Sequence, residues 1–203
     1  VEAIINSIFP TPIYISKIDR ILTHLELNFI NKHKKDFYKN EGNITSNNNY
    51  ILKEKPFINI KKELDLRVQD YFDKVISPAN NITPYITQSW LNYTETNQYH
   101  HKHQHPNSLV SGVFYINCDD KFDKIKFFKS DYQTIKPEVK DWNIWNSESW
   151  WFSVKTGDIM LFPSSLIHMV ENKEGTNTRI SLAFNVFIKG TVGNNKTLTE
   201  LVL

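Results

Sequence analysis

Four of the chain's seven histidines fall in six consecutive positions, within YHHKHQHP at residues 99–106. In an extended strand alternate side chains share a face, so His101, His103 and His105 point one way and His100 the other. Two imidazoles at i and i+2 can meet one metal ion, and neutral imidazole suits Zn, Fe, Cu and Ni. Taken alone, such a stretch reads equally well as a polar surface loop. A second segment, GDIMLFPSSLIHMVEN (157–172), adds His168 in a strand-like run. Eleven residues later Arg179 opens the apolar TRISLAFNVF, with Ser181 on the same strand face. A charged side chain in such a strand is costly to bury unless it pairs with an anion. The guanidinium fork grips a carboxylate through two parallel hydrogen bonds, and a serine two positions on can add a third.

These groups need a scaffold. FPTPIYISKID (9–19) reads as a short strand after two prolines. Residues 20–40 carry Ile21, Leu22, Leu25, Leu27, Phe29 and Ile30 on a broken helical stripe ending near NEGN. SNNNYIL (46–52) reads as a loop entering a short extended piece. Residues 56–77 give a stronger helix, with Ile60, Leu64, Val68, Tyr71, Phe72 and Ile76 mostly three and four apart. Pro56 suits its start and Pro78 its end. From residue 83 the chain breaks into short runs rich in Val, Ile, Phe, Tyr and Thr, which predicts seven or eight strands in an antiparallel sandwich or barrel. The expected architecture is mainly β with N-terminal helices covering one face. It forms a single domain over 1–203, with helical support in 1–80 and a β core in 83–190. DWNIWNSESWW (141–151) holds four of the five tryptophans. It reads either as an inserted hairpin packed on the sandwich or as a substrate-facing rim.

HQHPNSLVSGVFY (103–115) and GDIMLFPSSLIHMVENKEGTNTRISLAFN (157–185) together resemble the Fe(II)- and 2-oxoglutarate-dependent oxygenases with a double-stranded β-helix (jelly-roll, cupin-like) core. More narrowly they resemble a branch found in bacteria and their viruses. The similarity runs from about Ser89 to Phe187, with a weaker echo at FPTPIY. The resemblance implies Fe(II), 2-oxoglutarate and O2 as cofactor and co-substrates, and a dioxygenase that hydroxylates an unactivated C–H bond with release of succinate and CO2. It implies that His103 and His168 bind iron and that Arg179, aided by Ser181, holds the distal carboxylate of 2-oxoglutarate. Tyr115 and Asn185 become candidates for the co-substrate pocket, and Trp90 and Asn92 for its mouth. Most of the superfamily has Asp or Glu two residues after the first histidine, where this chain has His105. His105 is then a third neutral ligand, giving weaker Fe(II) binding or stronger reliance on the dianionic co-substrate. Alternatively His101 completes the pair with His103 and His105 stands behind them.

Two rival readings stay open. One is a cupin-like three-histidine metal enzyme, such as a Zn hydrolase, without 2-oxoglutarate. The other is a non-catalytic jelly-roll binding module. A metal hydrolase has no inherent need for Arg179, which favours the oxygenase. Ser164 and Ser165 lack a His–Asp arrangement for nucleophilic catalysis, and Asp158 reads as a turn residue. A formal charge of +2 with mixed signs gives no reason to expect nucleic acid. No apolar run approaches the roughly 20 residues that cross a bilayer. Cys118 is the only cysteine, which fits a reducing compartment and a cytoplasmic location. The expected partner is a small-molecule or peptidyl substrate; the oligomeric state is open, a homodimer included.

Overall fold

The structure, a computed structural model, describes residues 1–130 and 135–203. In chain order its elements are β1 (Tyr14–Lys17), α1 (His24–Lys35), β2 (Phe37–Lys39), β3 (Ile44–Ser46), α2 (Ile58–Tyr71), β4 (Ile82–Thr94), β5 (His100–His103), β6 (Val110–Asn117), β7 (Lys124–Phe128), β8 (Ser149–Ser153), β9 (Asp158–Pro163), β10 (His168–Val170), β11 (Arg179–Val192) and β12 (Leu201–Val202). They form two sheets. The larger runs β1-β9-β6-β11-β4-β3-β2, with β12 on the far end of β11; the smaller runs β5-β10-β7-β8. All the pairings between these strands are antiparallel. This is the double-stranded β-helix architecture, with helices on the outer face of the large sheet.

The two-residue period of a strand sorts β11 into two faces. Leu182, Phe184, Val186 and Ile188 are buried in the cluster shared with Ile60, Leu64 and Val68 of α2. Arg179, Ser181, Ala183 and Asn185 take the opposite face, toward the small sheet. β4 behaves alike: Leu91 and Tyr93 pack under the helices, the Tyr93 hydroxyl donating to the Ile30 carbonyl at 2.7 Å. Trp90 and Asn92 look the other way. A second apolar cluster, including Tyr115, Ile125, Phe127, Met160 and Phe162, fills the space between the sheets.

The helical predictions need correction. α1 ends at Lys35 rather than near residue 40, and Phe37–Lys39 pairs with β3 in a hairpin that turns at Gly42, φ +90°. Its stripe is buried only in part: Ile30 is in the core and Leu22 and Phe29 pack against it, but Ile21 and Leu25 are 91% and 72% exposed, while Glu26 and His33 are buried. Glu26 is drawn inward by its bonds. It closes a capping box with Thr23 and accepts from Arg20 Nη2 at 2.6 Å. Burial alone would raise its pKa, but the Arg20 and Thr23 bonds outweigh this and hold it below its ordinary value. Residues 51–53, expected to be extended, form a 3-10 turn. α2 starts after another such turn at Lys55–Phe57 and closes in a π turn over Phe72–Ile76, leaving Ile76 exposed.

Candidate active site

The β5–β10 edge of the small sheet faces the inner face of β11, and the sequence motifs meet there. His103 and His168 are direct cross-strand partners. Their ring centroids lie 4.4 Å apart, and that of His105 lies 5.0 Å from His103 and 5.2 Å from His168. The donor nitrogens of the three all fall within 4.8 Å of one another. His103 Nδ1 stands 2.7 Å from the His101 carbonyl and His168 Nδ1 3.0 Å from the Leu166 carbonyl. With Nδ1–H donating to those carbonyls, each ring keeps a bare Nε2, the state a metal ligand needs.

His105 lies in the loop after β5. Its backbone N–H donates to the Ser164 carbonyl at 3.0 Å, and Trp90 stacks on its ring at 5.7 Å. The Ser164 hydroxyl joins those of Ser111 and Ser108 in a chain, at 2.9 and 2.7 Å. The serines of the two motifs therefore lash the His105 loop to β6 and β9. Burial among other imidazoles keeps the cluster neutral: His168 is pushed down to about 3 and His105 to about 4, and His103 is lowered too.

Simple alternation fails at one position. His103 pairs with His168 and His100 with Val170, so β5 holds an extra residue and the parity of its faces shifts. His100, expected to point away, stacks on His103 at 4.6 Å and lines the same pocket. Burial beside its fellow imidazoles pushes it down to about 2, and Asn40 Nδ2 sits 3.2 Å from its Nε2. His100, His101 and His103 form a second group with mutually close donors. His101 itself does not line the pocket. No sequence signal marked His100 or Asn40, because the bulge is set by pairing with β10.

The other wall of the pocket is Arg179, Ser181 and Ala183 of β11 with Asn92 of β4. Arg179 is 3% exposed. One guanidinium nitrogen donates to the Lys124 carbonyl at 3.2 Å, Nε is buried with no partner, and no described carboxylate forms an ion pair with it. The contrast is Lys173, equally buried, which has Asp123 at 3.7 Å. A buried cation without its anion is what an anion site looks like before its ligand arrives. Asn92 Oδ1 accepts from Thr45 Oγ1 at 3.1 Å, which leaves its NH2 for the pocket. The histidines thus offer metal donors and Arg179 a carboxylate clamp in one cavity, which fits Fe(II) together with a dicarboxylate.

Two candidate residues sit elsewhere than expected. Tyr115 does not line the pocket: its ring lies under the Arg179 guanidinium, 5.3 Å away, and its hydroxyl meets Met160 Sδ at 3.8 Å. β6 turns it into the inter-sheet core beside Arg179. Asn185 lies beyond His105 from Arg179, bordering a separate cleft. The tryptophan segment also misses the pocket. Trp142 is 64% exposed, Trp145, Trp150 and Trp151 are exposed too, and β8 lies two strands from β10, about 10 Å across the sheet.

The sequence matches the family model described as "Putative 2OG-Fe(II) oxygenase" over residues 88–185, a span containing His103, His105, His168, Arg179 and Ser181. Among solved structures, a Trichoplax adhaerens prolyl hydroxylase in complex with a hypoxia inducible factor peptide fragment aligns with TM-score 0.58 at 12% identity, covering 86% of this chain and 83% of that one. HygX from Streptomyces hygroscopicus, with nickel, 2-oxoglutarate and hygromycin B bound, aligns with TM-score 0.55 at 11% identity, covering 87% and 82%. A Pseudomonas putida prolyl-4-hydroxylase aligns with TM-score 0.52 at 10% identity, covering 86% and 92%. These likenesses establish the fold. A search of curated proteins found no match. The family match over residues 88–185 and the shared fold both liken this chain to the Fe(II)- and 2-oxoglutarate-dependent oxygenases.

Proposed function

We propose that the protein hydroxylates an unactivated C–H bond of a small-molecule or peptidyl substrate, with His103, His105 and His168 as the iron ligands and Arg179 and Ser181 as the 2-oxoglutarate clamp. The observation that carries this is the buried Arg179, without a counter-ion among the described residues, in the same cavity as the three imidazoles. Bound Fe(II) and 2-oxoglutarate supply O2-dependent oxidation coupled to release of succinate and CO2. The chain's own residues do the positioning. The His101 and Leu166 carbonyls fix two imidazole tautomers, and the Ser108–Ser164–Ser111 chain and Trp90 fix the third ring. Arg179, with the Tyr115 ring 5.3 Å away, meets the distal carboxylate, with the Ser181 hydroxyl and the Asn92 amide as further donors. Val113, Ile125 and Phe162 wall the cavity and keep water from the reacting centre.

The test is anaerobic reconstitution with Fe(II) and 2-oxoglutarate. The expected result is a visible metal-to-ligand charge-transfer band in the wild type, its loss in His103→Ala and His168→Ala, and succinate formation once O2 is admitted. A folded His168→Ala protein that keeps stoichiometric Fe(II) and the full band refutes the ligand assignment. A wild type that binds Zn(II) but never gives the band with 2-oxoglutarate favours the hydrolase reading.

A further inference from the structure

Read from its start, the inner face of β11 presents Arg179, Ser181, Ala183 and Asn185. The two ends lie six residues apart, about 20 Å along a strand. His105 stands between them and is the one residue bordering both the histidine pocket and a second, more open cleft. Gln88, Gln104, Asn107 and Asn185 line that cleft, with Tyr50 and Thr87 beside them. Pro106 and His105 complete it, so no Lys, Arg, Asp or Glu faces it. β4 carries an extra residue here, since Phe184 pairs with Ser89 and Val186 with Ile86; the bulge aims Thr87 and Gln88 at Asn185, whose carbonyl accepts from Thr87 Oγ1 at 3.2 Å. The Asn185 amide interacts with the His105 ring, and its buried Oδ1 has no other hydrogen-bond partner among the described residues. An amide oxygen has two lone pairs, so this one still has room for an incoming donor.

We propose that this cleft is the substrate subsite and that it takes a neutral carboxamide, whose N–H donates to Asn185 Oδ1 while the glutamine and asparagine side chains bond the rest of the group. A carboxylate would bring a further acceptor against Asn185 Oδ1 and find no cation. An ammonium would find no anion. Either charge would lose hydration without compensation. A carboxamide offers donor and acceptor together, as does each of the four amides around it. That the bound group is the one oxidised rests on the oxygenase reading; the chemistry of the cleft does not.

The test is saturation-transfer difference NMR on the metal-free protein with N-acetylglycinamide, N-acetylglycine and glycerol as separate probes. The expected result is transfer to the amide alone. Its affinity should drop about tenfold in Asn185→Leu, the scale of one lost hydrogen bond, with a smaller loss in Gln104→Leu. Gln104 is an exposed position, so that variant keeps the test valid if Asn185→Leu fails to fold. Equal transfer to the anion, preference for glycerol, or amide binding unchanged in the folded variants overturns the proposal. A second arm loads Mn(II) and 2-oxoglutarate and reads relaxation of the amide probe's protons. Strong relaxation places the probe beside the metal. If Mn(II) binds and the bound probe is not relaxed, the cleft is not the substrate subsite and the proposal falls. If Mn(II) does not bind but the amide still binds through Asn185, the metal assignment fails and the cleft's amide selectivity stands.

Discussion

At the scale of single residues, the strongest commitment is a cation. Arg179 is buried with an unpartnered Nε; the Lys124 carbonyl and the Tyr115 ring offset part of that burial, and an incoming anion would supply the counter-ion missing among the described residues. Replacing it with Leu removes one partner of a desolvated charge pair, a loss of about 2–5 kcal/mol. Affinity for 2-oxoglutarate should therefore fall at least about 30-fold. Arg179→Lys should restore only part, because an ammonium cannot reproduce the fork. Calorimetric titration of 2-oxoglutarate checks both, and an unchanged affinity in the Leu variant removes the clamp. His105 carries a second consequence. Three imidazoles bring no negative charge to Fe(II), so the dianionic co-substrate must supply it, and by linkage each should tighten the other. Fe(II) affinity should rise with 2-oxoglutarate in the wild type and depend on it less in His105→Asp; equal Fe(II) affinity with and without 2-oxoglutarate would count against the neutral triad. That His103, His168, Arg179 and Ser181 are a set to look for together was legible in the sequence because their types and order are chemically restrictive, and the four line one pocket. His100 was not, because its direction depends on one extra residue in the pairing of β5 with β10.

At the scale of elements, strands were easier to read than helices. β4, β6, β9 and β11 announce themselves through β-branched and aromatic residues bounded by turns. The helical stripe of α1 misleads because Glu26, anchored by Thr23 and Arg20, occupies the buried face while Ile21 and Leu25 face solvent. Tyr115 was placed on the right strand but does not line the pocket, since a strand position alone does not say whether a hydroxyl reaches the cavity. The glycine of SGVFY shows what a motif residue can mean physically. Gly112 lies opposite Phe184 in the β6–β11 register, and a Cβ there would come within 2.1 Å of the Phe184 ring. That ring is buried in the core under the helices and has little room to retreat. Gly112→Ala should destabilise the protein by about 1–3 kcal/mol through overpacking. Denaturant unfolding checks this. A midpoint equal to wild type would mean that the large sheet yields more readily than its packing implies. Trp142→Ala should barely move the melting temperature, because that side chain is mostly solvent-exposed already.

At the scale of the whole molecule, two sheets enclose a cavity between them, and in it His168 is buried and His100, His103 and His105 are half-buried. The face-to-face placement of β5–β10 and β11 arises from pairings far apart in sequence, which no local pattern specifies; the paired motifs, through their family resemblance, implied it. No helix among the described residues is long and apolar enough to cross a membrane. Enclosure has a thermodynamic signature. In the unfolded chain each imidazole titrates near 6.5, whereas in the fold burial holds His105 near 4, His168 near 3 and His100 near 2. Between those values and 6.5 the unfolded state binds protons that the folded state refuses. The stability these groups contribute is therefore fully present above pH 6.5 and is lost progressively as pH falls through the folded values. The informative range is pH 7 to 5, above the titration of ordinary carboxylates. The melting temperature of metal-free protein should fall across that range, and a His100→Gln/His105→Gln/His168→Gln variant should show a flatter profile. A wild-type profile as flat as the variant's would mean that the three imidazoles protonate freely in the fold. In that case the cavity is open to water, and the dry, neutral ligand set on which the iron assignment depends is not present.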